Sequence, residues 1–437
     1  MTQRILIKNG LVVTMNRRLE VVQADILIDG RHIKKIAPDI EESAAEVFDA
    51  TGYIITPGFI QTHVHLCQAL FRNLADDLSL LDWLEKKIWP YEGRHTPETL
   101  RLSARLGLAE LIRSGTTTIM DMGTVHHQQV IFEELAASGI RAFAGKTMMD
   151  YGELPTSLKE NTRESLDTSV MLLKEWHNYD EGRLRYAFAP RFALSCSDDL
   201  LVETGWLARE YDTVYHTHAS ENKDEVELVR QRFGVNNVML FEKLGLAGSN
   251  LCLAHCIWTD EEERALLKEK NIKVLHCPSA NLKLGSGVAP VPDYLQRGIT
   301  VSLGADGAPC NNHLDAFNEM RLAALIQKPL HGPQSMTAEQ VFNMATLGGA
   351  ATLGIENETG SLEENKLADM IFIKDYQVHS IPYENVFSKL VYSAHSGDVQ
   401  HVMVNGRWLM RDRQILFLDE QKLVHEVQKT IPEILNT

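Results

Sequence analysis

The stretch "PGFIQTHVHLCQALFR", residues 57–72, carries two histidines, His63 and His65, on either side of one valine at the end of an apolar run. On a β-strand, side chains at i and i+2 leave the same face. Both imidazoles therefore emerge together, close enough to share a metal ion. What they do depends on which other residues the fold brings to the same place.

Seven further short apolar runs follow, separated by helical segments. They are "TTTIMDMG" (116–123), "RAFAGKTM" (141–148), "LRYAFAPR" (184–191), "TVYHTHAS" (213–220), "LCLAHC" (251–256), "KVLHCP" (273–278) and "ITVSLGAD" (299–306). With "FIQTHVH" (59–65) they make eight strand–helix units. Spread over roughly 250 residues, these match an α/β fold of the (β/α)₈ TIM-barrel type, whose chemistry sits at the C-terminal ends of the strands. An open, doubly wound sheet is the alternative. The helix signals agree. In "TPETLRLSARLGLAELIRSG", Thr96 suits the N-cap, Pro97 the first helical position and Gly115 the C-terminal cap. "TDEE" (259–262) and "TAEQ" (337–340) read as capping boxes.

Both ends of the chain have a different texture. "RILIKNGLVVTM", "ADILIDGRHIKKI" and "VQHVMVNGRWLM" each break an apolar run at Asn-Gly or Asp-Gly, a strong hairpin signal. Residues 1–56 and 364–437 are therefore expected to form one discontinuous β-rich accessory domain, with the catalytic barrel spanning 57–363. The net charge of −16 disfavours nucleic acid or an anionic membrane as the main partner. Cys67, Cys196, Cys252, Cys256, Cys277 and Cys310 form no C-x-x-C pair and read as buried thiols in a reducing compartment. No apolar run approaches a membrane span. The first residues alternate like a strand and lack the apolar core of a signal peptide. A soluble, cytoplasmic protein is expected.

The ionisable residues fall at the strand ends. His63 and His65 end the first strand, His218 the fifth, His255 the sixth and Asp306 the eighth, so a closed barrel makes them neighbours. Three neutral imidazoles and a carboxylate suit Zn²⁺ or a similar divalent ion. Such an ion lowers the pKa of a bound water to about 7. Asp306 is placed to ligate it and to accept the proton of the water. Glu221, three residues after His218, suits a non-ligating general acid–base. His255 stands outside the ligand set and orients the water.

Together "DATGYIITPGFIQTHVH" (49–65), "HTHASEN" (216–222), "LAHC" (253–256), "HCPSANLKLGSGVAPV" (276–291) and "LGADGAPCNNHLDAFNEMRLAALIQK" (303–328) resemble the amidohydrolase superfamily. Within it they resemble the mononuclear-metal aminohydrolases, in particular the deaminases of 5′-deoxyadenosine, 5′-methylthioadenosine and S-adenosylhomocysteine. The resemblance implies a small β-sandwich at the chain ends, a homo-oligomer, and one divalent ion per subunit, zinc with iron as the alternative. Its ligand pattern falls on His63, His65, His218 and Asp306, its proton-shuttling glutamate on Glu221 and its supporting histidine on His255. Binuclear relatives carry a carbamylated lysine at the end of the fourth strand; here Arg191 stands there, which favours a single ion.

For the substrate, "ADDLSLLDWLEKKIWPYE" (75–92) resembles the lid of the adenosine-type deaminases, where a glutamate nine residues after a tryptophan accepts the ribose hydroxyls. Trp83 and Glu92 keep that spacing. Lys146 and Arg191 instead resemble positions of guanine deaminases; either could also be a structural cation paired to a carboxylate. A small 5′ group suits this set better than an amino-acid tail. His126, His127 and His313, like Cys310, carry no assigned role, and His276 supports the site without touching metal. The function expected is hydrolytic deamination of an adenosine-type nucleoside. The alternatives are guanine, a pterin or an aminotriazine on the same metal, an amide-cleaving hydrolase, and an inactive binding scaffold.

Overall fold

The computed structural model describes residues 4–435. Five strands open the chain: β1 (Arg4–Val13), β2 (Val21–Asp29), β3 (His32–Ala37), β4 (Glu46–Asp49) and β5 (Tyr53–Pro57). The barrel strands follow as β6 (Phe59–His65), β7 (Thr116–Met122), β8 (Arg141–Gly145), β9 (Thr147–Met148), β10 (Leu184–Pro190), β11 (Val214–Ala219), β12 (Leu251–His255), β13 (Lys273–His276), β14 (Val301–Leu303) and β15 (Asp306–Gly307). Four more, β16 (Met370–Lys374), β17 (Val399–Val404), β18 (Arg407–Arg411) and β19 (Gln414–Ile415), complete the set.

From β6 to β14 the barrel strands pair in parallel, in chain order, with β9 continuing β8 onto β10. β15 prolongs the eighth strand and pairs in parallel with β6, Asp306 opposite Val64, so the ring closes. That closure decides for the barrel over the open sheet. Side chains hold the same seam. The Ser302 hydroxyl donates to Thr62 Oγ1 (2.7 Å), which donates to the Leu303 carbonyl (3.1 Å). Every residue of β6 and β7 is buried, as expected of strands covered on both faces.

The helix Pro97–Arg113 has the predicted ends. Thr96 accepts from the Thr99 amide, Pro97 opens the helix, and Gly115 follows with φ +89°. Thr337 and Gln340 form the expected capping box. The other box is displaced by one residue: Asp260 and Glu263 cap the helix Glu261–Glu269. The Thr259 hydroxyl is instead 2.6 Å from the Tyr294 hydroxyl, and a carboxylate takes over the amides.

β1–β5 and β16–β19 form one nine-stranded sheet drawn from both chain ends. Residues 1–3 and 436–437 of the expected accessory segments lie outside the described residues. Alternation separates two cores. Val12, Ile55, Met370 and Phe372 face an inner cluster, whereas Val13, Ile54, Ile371 and Ile373 join the main core against the barrel. Asp29-Gly30 and Asn405-Gly406 make tight hairpins, as read from the sequence. Asn9-Gly10 does not. It is a bulge inside β1, with Asn9 at φ 63°, where the edge of β1 changes partner from β4 to β5. Asn-Gly supplies positive φ to a bulge as readily as to a turn.

Gly304 lies between β14 and β15, where a Cβ would stand 2.7–2.8 Å from the backbone O and N of His63. Gly304→Ala should push the seam apart and destabilise the fold by about 1–3 kcal/mol. Chemical denaturation measures this; wild-type stability would mean that the seam relaxes without cost.

Candidate metal centre and its cavity

His63 and His65 end β6, His218 lies near the end of β11, and Asp306 opens β15. Strand geometry alone thus brings four donors to one mouth, each offering an atom within 4.8 Å of the others. His63 Nε2 is 3.4 Å and His65 Nε2 3.3 Å from Asp306 Oδ1. Asp306 has φ 62°, a backbone conformation that non-glycine residues adopt at a cost and that aims its carboxylate into the cluster.

Hydrogen bonds from behind orient the imidazoles. His65 Nδ1 is 2.8 Å from the Met122 carbonyl and His218 Nδ1 2.7 Å from the Arg191 carbonyl. A carbonyl only accepts, so both Nδ1 atoms carry the proton and each Nε2 presents a lone pair. His63 Nδ1 meets His216 Nε2 at 2.7 Å, leaving the buried His63 Nε2 without a hydrogen-bond partner. Burial, reinforced by the neighbouring imidazoles, lowers His218 well below the usual histidine range, and burial takes His63 down to about 4. Burial alone would raise the Asp306 carboxyl, but the close approach of the His63 and His65 rings outweighs it and holds it well below the carboxylate range. Ring nitrogens of three imidazoles converge on one carboxylate. This donor set can hold a divalent ion of the Zn²⁺ type.

Glu221 follows the cluster on the turn after β11, with Ser220 at φ 54°. Burial first, then Asp306 and Glu225, push its carboxyl well above the ordinary range, which suits it to donate a proton. His255, at the end of β12 with φ 72°, sets its Nε2 3.4 Å from Glu221 Oε2 and 3.8 Å from Asp306 Oδ2. Its Nδ1 donates to Asn281 Oδ1 at 2.8 Å.

A cavity of about 20 Å³ adjoins the cluster, lined by His65, Gln68, Trp83, Arg191, Phe192 and Glu221 among others. That volume holds one water, against several hundred Å³ for an ordinary ligand site. Leu80, Trp83 and Leu84 of the segment Leu80–Glu92, which includes a π-helical turn at Leu84–Ile88, form one wall of it. The buried Trp83 Nε1 has no hydrogen-bond partner. Glu92 is buried and ion-paired to Arg191: Nη1 is 2.6 Å from Oε2 and Nη2 3.3 Å from Oε1, while Gln68 Nε2 donates to Oε1 at 2.8 Å. Burial pushes the Glu92 carboxyl up, but the guanidinium outweighs it and holds it below the usual range.

Lys146 is not brought to this cavity. Its ammonium binds Glu160 and donates to the Thr147 carbonyl at 3.0 Å, in a separate cleft that His126 and His127 also line. His276 is buried behind His255 with both ring nitrogens unpartnered, its pKa lowered by burial to about 3. Four residues had not been singled out from sequence: His216, Gln68, Asn281 and Asp121. Asp121 Oδ1 accepts the Leu66 amide at 2.8 Å, and burial raises its carboxyl to about 7. The i, i+2 rule that picks out His63 and His65 applies equally to His216 and His218.

A closed parallel barrel with a histidine–aspartate donor set at its C-terminal mouth has the make-up of a barrel enzyme with a candidate metal centre. The amidohydrolase family pattern matches residues 54–409, and the chain belongs to that family. It is 39% identical, over 94% of its length and 95% of the relative, to a 5-methylthioadenosine/S-adenosylhomocysteine deaminase of Thermococcus onnurineus. It is 36% identical to a 5′-deoxyadenosine deaminase of Methanosarcina mazei, covering 99% of this chain and 98% of that one. Among solved structures, a zinc-bound adenosine deaminase from Xanthomonas campestris superposes with a TM-score of 0.94 at 28% identity over 99% of both chains.

His216 stands behind the donor set and holds the His63 ring in place through the Nδ1–Nε2 contact. His216→Leu should weaken metal affinity by about 10–100-fold, the usual cost of losing such a support. Competition against a chelator reads this out; unchanged affinity would remove His216 from the site.

Proposed function

We propose that this chain is a hydrolytic deaminase of adenosine-type nucleosides, converting the exocyclic amine of the ring to a carbonyl with release of ammonia. One divalent ion, zinc or iron, is held by His63, His65, His218 and Asp306. When bound, it supplies Lewis acidity to the attacking water. The observation that carries the proposal is the convergence of His63, His65, His218 and Asp306 at the barrel mouth, with the buried Glu221 on the wall of the adjoining cavity.

Asp306 accepts the proton of the water as its oxygen adds to C6. Glu221 gives its proton to the ring nitrogen N1, which accepts the electrons displaced by the addition. His255 orients the attacking oxygen. As the tetrahedral carbon collapses, the proton gathered by Asp306 passes to the amine, the added hydroxyl returns its remaining proton to Glu221 as it becomes the carbonyl, ammonia departs, and the N1 proton stays with the inosine-type product. Adenine-type ring and water thus give product and ammonia with no other reactant. Trp83, Leu80, Leu84 and Phe192 provide apolar walls for a planar ring.

Glu92, held anionic by Arg191, accepts the ribose hydroxyls once the lid segment has opened and closed around the nucleoside. Arg191 also favours a second reading, a ring carbonyl as in guanine, because it lines the cavity. Its two terminal nitrogens are, however, already committed to Glu92. Lys146 has no substrate contact to make while Glu160 holds its ammonium.

Ammonia release should be measured on metal-replete protein with 5′-deoxyadenosine, 5′-methylthioadenosine, S-adenosylhomocysteine, adenosine and guanine in parallel. Nucleoside turnover is expected, with the small 5′ groups preferred, and Glu221→Gln should keep its metal while losing about 10²–10⁴-fold in rate. Turnover of guanine alone would favour the second reading. Wild-type rates in Glu221→Gln would remove that residue from proton transfer.

A further inference from the structure

The two oxygens of Asp306 face different partners. Oδ1 looks to His63 and His65, whereas Oδ2 is 3.8 Å from His255 Nε2. A second donor set, His255, Cys277 and Asp306, lies on that other side, entirely buried, with its ligand atoms within 4.8 Å of one another. We propose that these three residues form a second, inhibitory site for a thiophilic divalent cation such as Zn²⁺ or Cd²⁺, with Asp306 bridging the two ions.

His255 is prepared for this. Asn281 Oδ1 takes its Nδ1 proton, so Nε2 carries a lone pair, is fully buried and has no hydrogen-bond partner. Cys277 is the least engaged thiol around the cluster. Cys310 donates to the Gly307 carbonyl at 3.1 Å and Cys67 to the Gly123 carbonyl at 3.2 Å, while Cys277 reaches only the Leu275 carbonyl at 3.8 Å. One thiolate, one imidazole and one carboxylate suit Zn²⁺. Glu221 Oε2, 3.4 Å from His255 Nε2, is placed to become a fourth ligand. Coordination releases the Cys277 thiol proton to solvent, and that of Glu221 when it joins, and forms the sulfur–metal bond, with no redox change. The second ion withdraws His255, and with it the free oxygen of Asp306, from the hydrolytic reaction. Turnover stops although the first ion remains.

The inhibition arm rests on the deaminase reading; the binding arms do not. Protein holding its first equivalent of zinc should be titrated with Zn²⁺ and, separately, Cd²⁺. Bound metal, sulfur-to-cadmium charge-transfer absorption and ammonia release are then followed together. Wild type should take up a second equivalent, show the thiolate band and lose turnover. Cys277→Ala and Cys277→Ser should keep the first ion and their turnover but lose the second equivalent and the band; Cys310→Ala should keep both. A wild type that stops at one ion, or Cys277 variants inhibited over the same concentration range, would overturn the proposal.

Discussion

The eighth strand meets the first at Asp306, and the site depends on that meeting. β15 is two residues long, yet its parallel pairing with β6 closes the barrel and delivers the carboxylate to His63 and His65 in one step. Gly304, with no room for a Cβ against His63, permits the approach, and the Thr62–Ser302 hydrogen bond fixes it. Loss of the seam would separate a ligand from its partners and open the sheet together. Fold and metal centre are one constraint at this point.

The same geometry makes the metal-free centre costly. His63 Nε2 and His255 Nε2 are buried without partners, and each such atom costs about 1–3 kcal/mol. Lone pairs face a carboxylate that the surroundings keep anionic. A cation would relieve all of these at once, so metal binding at this donor set would stabilise the fold. Glu221 is tuned in the opposite sense: burial and two neighbouring carboxylates push its carboxyl well above the ordinary range. Two carboxyl groups with oppositely displaced acidities, side by side, make an acceptor and a donor.

Much of this was legible in the sequence because it is periodic. Eight apolar runs specify the barrel, histidine or aspartate at the ends of the first, fifth, sixth and eighth marks its mouth, and the i, i+2 spacing specifies the His63–His65 pair. Contacts set by tertiary packing were harder to see. His216 shares its strand face with His218, yet nothing in its neighbours shows that it stands behind His63 and not beside a metal. The Arg191–Glu92 pair joins residues 99 positions apart, and the partner of Lys146 lies on a loop without periodicity. Local signals also misled where two structures satisfy one motif. Asn9-Gly10 serves a bulge where a hairpin was expected, and Asp260 took the capping position from Thr259 because a carboxylate binds helix amides more strongly.

The most direct test of the central claim follows the fate of the oxygen atom. Metal-replete protein would be given 5′-deoxyadenosine in ¹⁸O-labelled water and the product analysed by mass spectrometry with fragmentation. Hydrolytic deamination predicts loss of the exocyclic nitrogen and one labelled oxygen on the purine, the sugar intact. Recovery of free adenine, or of an unlabelled nucleoside after prolonged incubation with metal bound, would contradict it.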